Sequence, residues 1–348
     1  MILPGSLTFT LILAILGMVC WGSWANTFKS RPAKWRFELY CFDFAFGTLI
    51  AAILLALTLG NLGYDGFSVF DDISLGSKRQ ELMAFLAGSS FALGNMLLLG
   101  GMSISGMALA FPVGMGAAIV TGGILQFVLF QGNAVFLFTG VAIVAAALVT
   151  AALAHKSYAE ALFLEMVQQG KSKTTKKTLS NKPIILSIIG GIFIGLFYPL
   201  VEMARVGDVG LGPYSVVFVA SVGIVAGTIV FNLFFMNLPV QGDPVDVAQY
   251  MRAKARTHIL GIIGGFFWAV GAVMLTVAGR AEGRAFLDRA VLFGMVQAGV
   301  IVALLWALYR WHEYRGADLK VRFLTNFTLL LLVIGVALTS YSQIPVVH

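Results

Sequence analysis

Apolar runs long enough to cross a bilayer, about 20 residues each, recur ten times along the chain, and each is bounded by a short polar stretch. They lie near residues 7–26, 36–59, 82–102, 107–130, 134–154, 183–203, 214–236, 258–278, 286–309 and 323–343. In hydrocarbon every backbone N–H and C=O must find its partner within the protein, so such runs are read as helices. The polar connections at 103–106 and 131–133 are very short, so spans 3/4 and 4/5 are antiparallel hairpins. The pattern predicts an all-α polytopic membrane protein with ten transmembrane helices.

Composition narrows the class further. Of 348 residues, 59% are hydrophobic and 11% are charged, against about 25% charged in ordinary soluble domains. That excludes a soluble multidomain enzyme, a disordered chain and a disulfide scaffold. The net charge of +7 sits in short loops between apolar runs, so it reads as membrane topology rather than nucleic-acid binding. Lys29, Arg31, Lys34 and Arg36 follow the first span, and no Lys or Arg precedes it. With the N-terminus outside, cytoplasmic segments hold 17 Lys/Arg and external segments 6. Both termini are expected outside, with the 156–182 loop in the cytoplasm of a bacterial inner (plasma) membrane.

That loop is the longest polar stretch and carries six lysines. Gly170-Lys171-Ser172 lacks the spacing and the preceding strand of a phosphate-binding loop, so the loop reads as a solvated basic linker whose first part, 157–169, can extend as a short interfacial helix. It separates residues 1–155 from 183–348, five spans on each side. An odd number of spans per half gives inverted-topology repeats, as in many secondary transporters. A single offset of 177 residues lays Trp21–Trp24 on Tyr198–Val201 and Gly88–Gly94 on Gly265–Gly271. Pro112 and Pro199 lie inside spans, where a missing N–H opens or bends a helix, and both are hinge candidates.

Ionisable residues in lipid are costly and are functional candidates for that reason. Asp43 in span 2 reads as a proton acceptor or gate, or as a hydrogen-bonded anchor paired with Arg36 or Lys29. Glu202 stands three residues before Arg205, within ion-pair reach on a helix, and reads as a gate or a proton site. Asp288 opens span 9. Among neutral groups, Asn95 and Gln297 lie mid-span, where a carboxamide offers donors and acceptors to a neutral ring; Gln126 and Asn232 are weaker candidates. Trp21, Tyr198 and Trp268 are aromatic surfaces for a flat ligand. Trp24 reads either as a further such surface or as an interface anchor, and Trp35, Trp306 and Trp311 read as interface anchors. The four histidines form no HExxH pair, and no serine elbow or nucleotide fingerprint appears, so neither a metal nor a cofactor is expected and an intramembrane enzyme is the weaker class.

Several segments carry a family resemblance. The run Tyr40-Cys41-Phe42-Asp43, the segment from Leu49 to Gly60 continuing to Gly63, Leu93-Gly94-Asn95, Ala154-His155-Lys156-Ser157, Phe197-Tyr198-Pro199 and Asp288 together resemble the ureide permeases of the drug/metabolite transporter superfamily. The resemblance implies ten spans, a cytoplasmic central loop and proton-linked uptake of nucleobases or of oxo-heterocycles such as allantoin. The chain departs from that pattern at Phe111, where the family carries an acidic residue, and at Glu202, where plant members tend to have Asn. The resulting expectation is a proton-coupled, alternating-access transporter whose Trp21, Asn95, Tyr198, Trp268 and Gln297 contact substrate, with Asp43 or Glu202 carrying the proton. Sugar/proton symport and metabolite export are the alternatives on the same fold.

Overall fold

The computed structural model describes residues 1–62, 68–169 and 180–344. Gly63, the Gly170–Ser172 segment, Lys173, Lys176, Lys177 and His348 lie outside the described residues. Ten helices are long and apolar enough to cross a membrane: α1 Leu7–Lys29, α2 Phe37–Leu57, α3 Lys78–Ser105, α4 Met107–Phe130, α5 Ala134–Gln168, α6 Lys182–Arg205, α7 Pro213–Asn237, α8 Ala255–Ala278, α9 Gly283–Arg310 and α10 Leu319–Tyr341. These coincide with the ten apolar runs. The largest difference is α5, which continues without a break through the first part of the expected linker. Two short amphipathic helices, Val69–Leu75 and Val247–Met251, lie between spans at opposite faces. We call the face bearing both termini the terminal face and the opposite one the linker face.

Among the described residues three spans are interrupted: α9 close to its start, at 286–288, and α1 and α6 further along. In α1 the break falls at Trp24. The Asn26 amide donates to the Ser23 carbonyl (2.8 Å) and the Thr27 hydroxyl to the Trp24 carbonyl (2.7 Å), so local side chains compete for the helical ladder. In α6 the break falls at Leu196. Pro199 has no N–H for the Gly195 carbonyl, and the Ser90 hydroxyl of α3 donates to the nearby Phe193 carbonyl (2.8 Å). Pro112 behaves differently: α4 runs unbroken through it.

Helix pairing follows glycine. Lipid tails are as apolar as leucine, so helices associate by close packing of small residues. The pairs α2/α8 and α3/α7 form the tightest contacts around the centre; α1 packs on α8 and α9, α6 on α3 and α4, and α5 on α10. A Cβ at Gly47 would lie 2.1 Å from the Ile262 carbonyl oxygen, and one at Gly265 would lie 1.9 Å from that of Phe44. The same arrangement recurs between α7 and α3, where Gly223 meets the Phe85 carbonyl at 2.1 Å and Gly88 that of Ala220 at 1.9 Å. Likewise Gly94 and Gly190 face each other between α3 and α6, as Gly271 and Gly17 do between α8 and α1. The α3/α8 positions differ by 177 residues, those of α2/α7 by 176 and those of α1/α6 by 173. A single offset therefore fails for the first span of each half by about one helical turn. In contact register Trp24 corresponds to Phe197, and Trp21 to Ile194 rather than to Tyr198.

Gly265→Val should be among the most damaging neutral substitutions. Its side chain meets backbone that cannot rotate away, so α2 and α8 must part. Overpacking costs about 1–3 kcal/mol even where side chains can shift. The unfolding midpoint of the purified protein in detergent should fall clearly, whereas Gly5→Val, where a Cβ meets nothing within 4 Å, should leave it unchanged.

Candidate functional site, an aromatic chamber between the broken helices

The breaks in α1 and α6 aim aromatic residues at a common space. A narrow chamber, largely filled by its own rings, lies between α1, α3, α4, α6, α8 and α9. All five residues expected to contact substrate, Trp21, Asn95, Tyr198, Trp268 and Gln297, line it. Trp24, Phe91, Phe111 and Phe197 complete the aromatic wall. Sequence reasoning missed Phe91, Phe111 and Phe197, and left Trp24 open between a ligand surface and an interface anchor; it is buried on the chamber wall, beside the break in α1.

The rings are already engaged with one another. Trp268 stacks on Trp21 at 5.6 Å between centroids, with 12° between planes. Phe91 lies 4.3 Å from it, and Phe197 meets it edge-on at 5.4 Å. The Trp21 Nε1–H donates to the Trp268 carbonyl at 3.0 Å, which fixes the indole and commits its only donor. Tyr198 stands edge-on to Phe293 at 5.4 Å. Trp21 and Tyr198 are thus engaged with Trp268 and Phe293 respectively. The flat surfaces offered are the Trp21–Trp268 stack and the cluster of Trp24, Phe91 and Phe197.

Two carboxamides interrupt this apolar lining. Asn95 is 3% exposed, and its Oδ1 is buried without a hydrogen-bond partner. Gln297 is 6% exposed, and its amide makes no hydrogen bond among the described residues. A buried polar atom left unpaired costs about 1–3 kcal/mol, so the Asn95 oxygen is set for a donor that enters. No Asp, Glu, Lys, Arg or His lines the chamber, which suits an uncharged ligand. The weaker candidates lie elsewhere. Asn232 donates to the Glu38 carbonyl at 2.6 Å and ties α7 to α2. Gln126 is fully buried outside the chamber, with neither amide atom partnered.

Toward the terminal face, Tyr198 also borders a second, open cavity of about 1080 Å³ that contains Glu202, Arg205, Arg280 and Asp288. A narrow void lined by Trp21, Phe197, Tyr198 and Glu202 lies between the two. The expected ion pair is present, with Arg205 Nη1 to Glu202 Oε1 at 3.0 Å. Arg205 also donates to the Thr276 carbonyl of α8 at 3.1 Å, so the pair bridges α6 and α8. Asp288 caps α9 through the Ala290 N–H at 2.7 Å.

The linker face is shut. Trp24, Phe28, Tyr40 and Phe44 pack ring against ring beneath the chamber. Glu313 pairs with Lys29 at the end of α1. The same carboxylate accepts the first N–H groups of α4, from Met107 (2.9 Å) and Ala108 (2.6 Å), where helix-terminal donors and the helix dipole favour an anion. Gly106 turns there at φ 86°, and a Cβ on it would lie 2.7 Å from that carboxylate.

Asp43 is fully buried near this face, but neither Arg36 nor Lys29 is its partner. Arg36 pairs with Glu38. Asp43 instead accepts from Tyr250 Oη at 2.8 Å and from Trp35 Nε1 at 3.1 Å, and it meets His258 Nδ1 at 2.7 Å. Burial and the adjacent Asp43 carboxylate push the Tyr250 hydroxyl well above its usual range, so it serves as a donor throughout physiological pH. Trp35, expected as an interface anchor, is buried in this cluster, while the Trp306 and Trp311 indoles tie to Ser23 and Asn26 of α1. His258 is 215 residues from Asp43 in sequence, and no local signal could pair them.

These features define an integral membrane protein of ten helices around an uncharged aromatic chamber. Residues 40–187, which carry Asp43, Asn95 and Phe111, match the family model described as ureide permease. The whole chain is similar to Ureide permease 1 of Arabidopsis thaliana, 22% identical over 380 residues that cover 94% of this chain and 95% of that protein. It is 23% identical to Ureide permease 4 of the same plant over 390 residues, covering 94% and 96%. These relatives are plant proteins and lend no support to a bacterial inner membrane.

Proposed function

We propose that this chain is a secondary transporter of a small, neutral, planar metabolite carrying both N–H and C=O groups, a nucleobase or a ureide such as allantoin. The observation that carries the reading is the chamber itself, with flat aromatic walls, no charge, and two carboxamides without partners. A ring amide answers the Asn95 acceptor with its N–H and the Gln297 donors with its C=O, while its faces lie on indole and phenyl rings. The similarity to permeases named for ureides points the same way. The work is translocation rather than covalent chemistry.

Movement is by alternating access of two inverted five-helix repeats, residues 1–155 and 183–348, joined by a cytoplasmic linker. The glycine contacts that recur between α2/α8 and α7/α3 support the duplication. The 17:6 distribution of Lys and Arg supports a cytoplasmic linker face. In that orientation the chamber communicates with the outside past Tyr198 and is closed to the cytoplasm by Glu313 and the aromatic floor. The break at Leu196 lets the outer part of α6 swing, with Pro199 as its hinge. Asp43, with titratable His258 at 2.7 Å, is the better proton carrier. Glu202 is held against a permanent cation, Arg205, and acts as an outer gate.

A thermal-shift screen of the purified protein against uracil, hypoxanthine, allantoin and glucose tests the ligand class. Stabilisation by a nucleobase or allantoin, absent with glucose, is expected. A hexose-only response would favour sugar symport, for a pyranose also stacks on indole. In proteoliposomes, uptake of the stabilising compound should follow an imposed pH gradient and collapse with a protonophore.

A further inference from the structure

The linker-face end of the α9/α10 pair forms a site that transport does not use. A π-helical turn, Trp306–Arg310, ends α9, and such turns often mark functional places in helices. The chain then reverses through His312 and Gly316, both with positive φ. Between this turn and the first turns of α10 lies an open cleft of about 1220 Å³, lined by Tyr309, His312, Tyr314, Arg315, Arg322 and Asn326.

The cleft is positive and has no counter-charge of its own. Arg315 and Arg322 are exposed and enter no ion pair among the described residues. The neighbouring carboxylates are already engaged: Glu313 by Lys29 and the start of α4, and Asp318 by the Val321 N–H at 2.9 Å. The Tyr314 hydroxyl on the cleft wall is buried and has no hydrogen-bond partner. Burial and nearby Glu313 raise it well above its usual range, so it remains a donor. Two exposed guanidinium groups and the Asn326 carboxamide around one opening form a receptor for a phosphate group. The surface leading away from the cleft is apolar. Leu319, Phe323 and Phe327 are exposed along α10, the two phenyl rings stacked at 5.8 Å, and Tyr309 is exposed at the end of α9. A soluble phosphate compound has no use for such a surface, whereas acyl chains do.

We propose that this cleft binds the phosphate of an anionic phospholipid, with its acyl chains along the outer face of α10. Basic pockets between helix ends at a membrane surface suit such headgroups. The lipid would clamp α9 to α10 through contacts that neither helix makes alone.

The test uses purified full-length protein in detergent, titrated with phosphatidylglycerol, phosphatidylcholine or inorganic phosphate. Phosphatidylglycerol should raise the unfolding midpoint and remain bound in native mass spectra, while phosphatidylcholine at the same mole fraction does neither. R315Q/R322Q should lose most of that rise. R252Q/K254Q, which removes the same charge from the same face outside the cleft, should keep it. An undiminished rise in R315Q/R322Q, or an equal response to phosphatidylcholine, overturns the assignment. An equal rise with inorganic phosphate alone overturns the lipid source in favour of a soluble phosphate compound. If the double variant does not fold, the wild-type adducts decide: no preference for phosphatidylglycerol over phosphatidylcholine overturns it.

Discussion

Asn95→Leu should leave the protein folded, at least as stable as before, and unable to bind its substrate. Leucine keeps the branching of asparagine with bulkier ends, and Asn95 borders the chamber, which can take up the difference without parting α3 from α6. The substitution removes an acceptor that is buried without a partner, which relieves about 1–3 kcal/mol of desolvation cost. The unfolding midpoint of the empty protein should therefore hold or rise. Ligand affinity moves the other way. Losing one buried hydrogen bond of about 1–3 kcal/mol lowers affinity about 5- to 150-fold, and the N–H of the bound ring is left unpaired in an apolar wall. Gln297→Met should behave alike, and the double variant should show no ligand-induced shift and no saturable uptake. A structural amide would behave in the opposite way, with stability lost and any residual uptake keeping its affinity. Isothermal titration beside thermal unfolding separates the two outcomes, and a stable Asn95→Leu protein with undiminished affinity would remove the chamber from substrate binding.

The ten spans were legible because hydrocarbon thickness imposes a length and backbone satisfaction imposes a helix, and both constraints act locally. The gathering of Trp21, Asn95, Tyr198, Trp268 and Gln297 was legible for a related reason: polar and aromatic groups mid-span have few stable places to go besides a shared interior. Geometry set by long-range contact was not legible. Trp24 and Phe197 enter the chamber because α1 and α6 break beside them, and the break in α1 rests on hydroxyl and amide groups that look ordinary in sequence. The offset of 177 residues was sound for α3 and α8, yet α1 and α6 are displaced by a turn, since connecting segments of different length separate the spans. Glu313 looked idle when judged against a metal-binding motif. Its partners, Lys29 and the start of α4, are more than 200 residues away.

Asp43→Asn should abolish concentrative uptake driven by a pH gradient while leaving substrate binding in place. The carboxylate takes three donors at once, from Trp35, Tyr250 and His258. An amide can accept at Oδ1 but presents an N–H where Trp35 Nε1 already donates, and it carries no charge to hold a protonated His258. The cluster then loses its only carboxylate, the group that carries negative charge when its proton leaves. Its connection to the chamber is short. Phe44, next in sequence on α2, lies 4.9 Å from Trp24 and 6.3 Å from Trp268, and His258 is ten residues before Trp268 on α8, about 15 Å along one rigid helix. A change of charge in the cluster alters how α2 sits on α8, with Phe44 carrying that shift to the rings that hold the ligand. Uptake against a gradient should fall at least tenfold, whereas exchange of labelled for unlabelled substrate, which needs no net proton movement, should persist. Persistent exchange shows that the variant is folded and that only coupling is lost. His258→Gln should keep part of the driven uptake and change its dependence on external pH, and Glu202→Gln should leave the driven uptake in place. Undiminished accumulation by Asp43→Asn under a pH gradient would take the proton away from this cluster and leave Asp43 as an anchor between α2, α8 and the short helix that bears Tyr250.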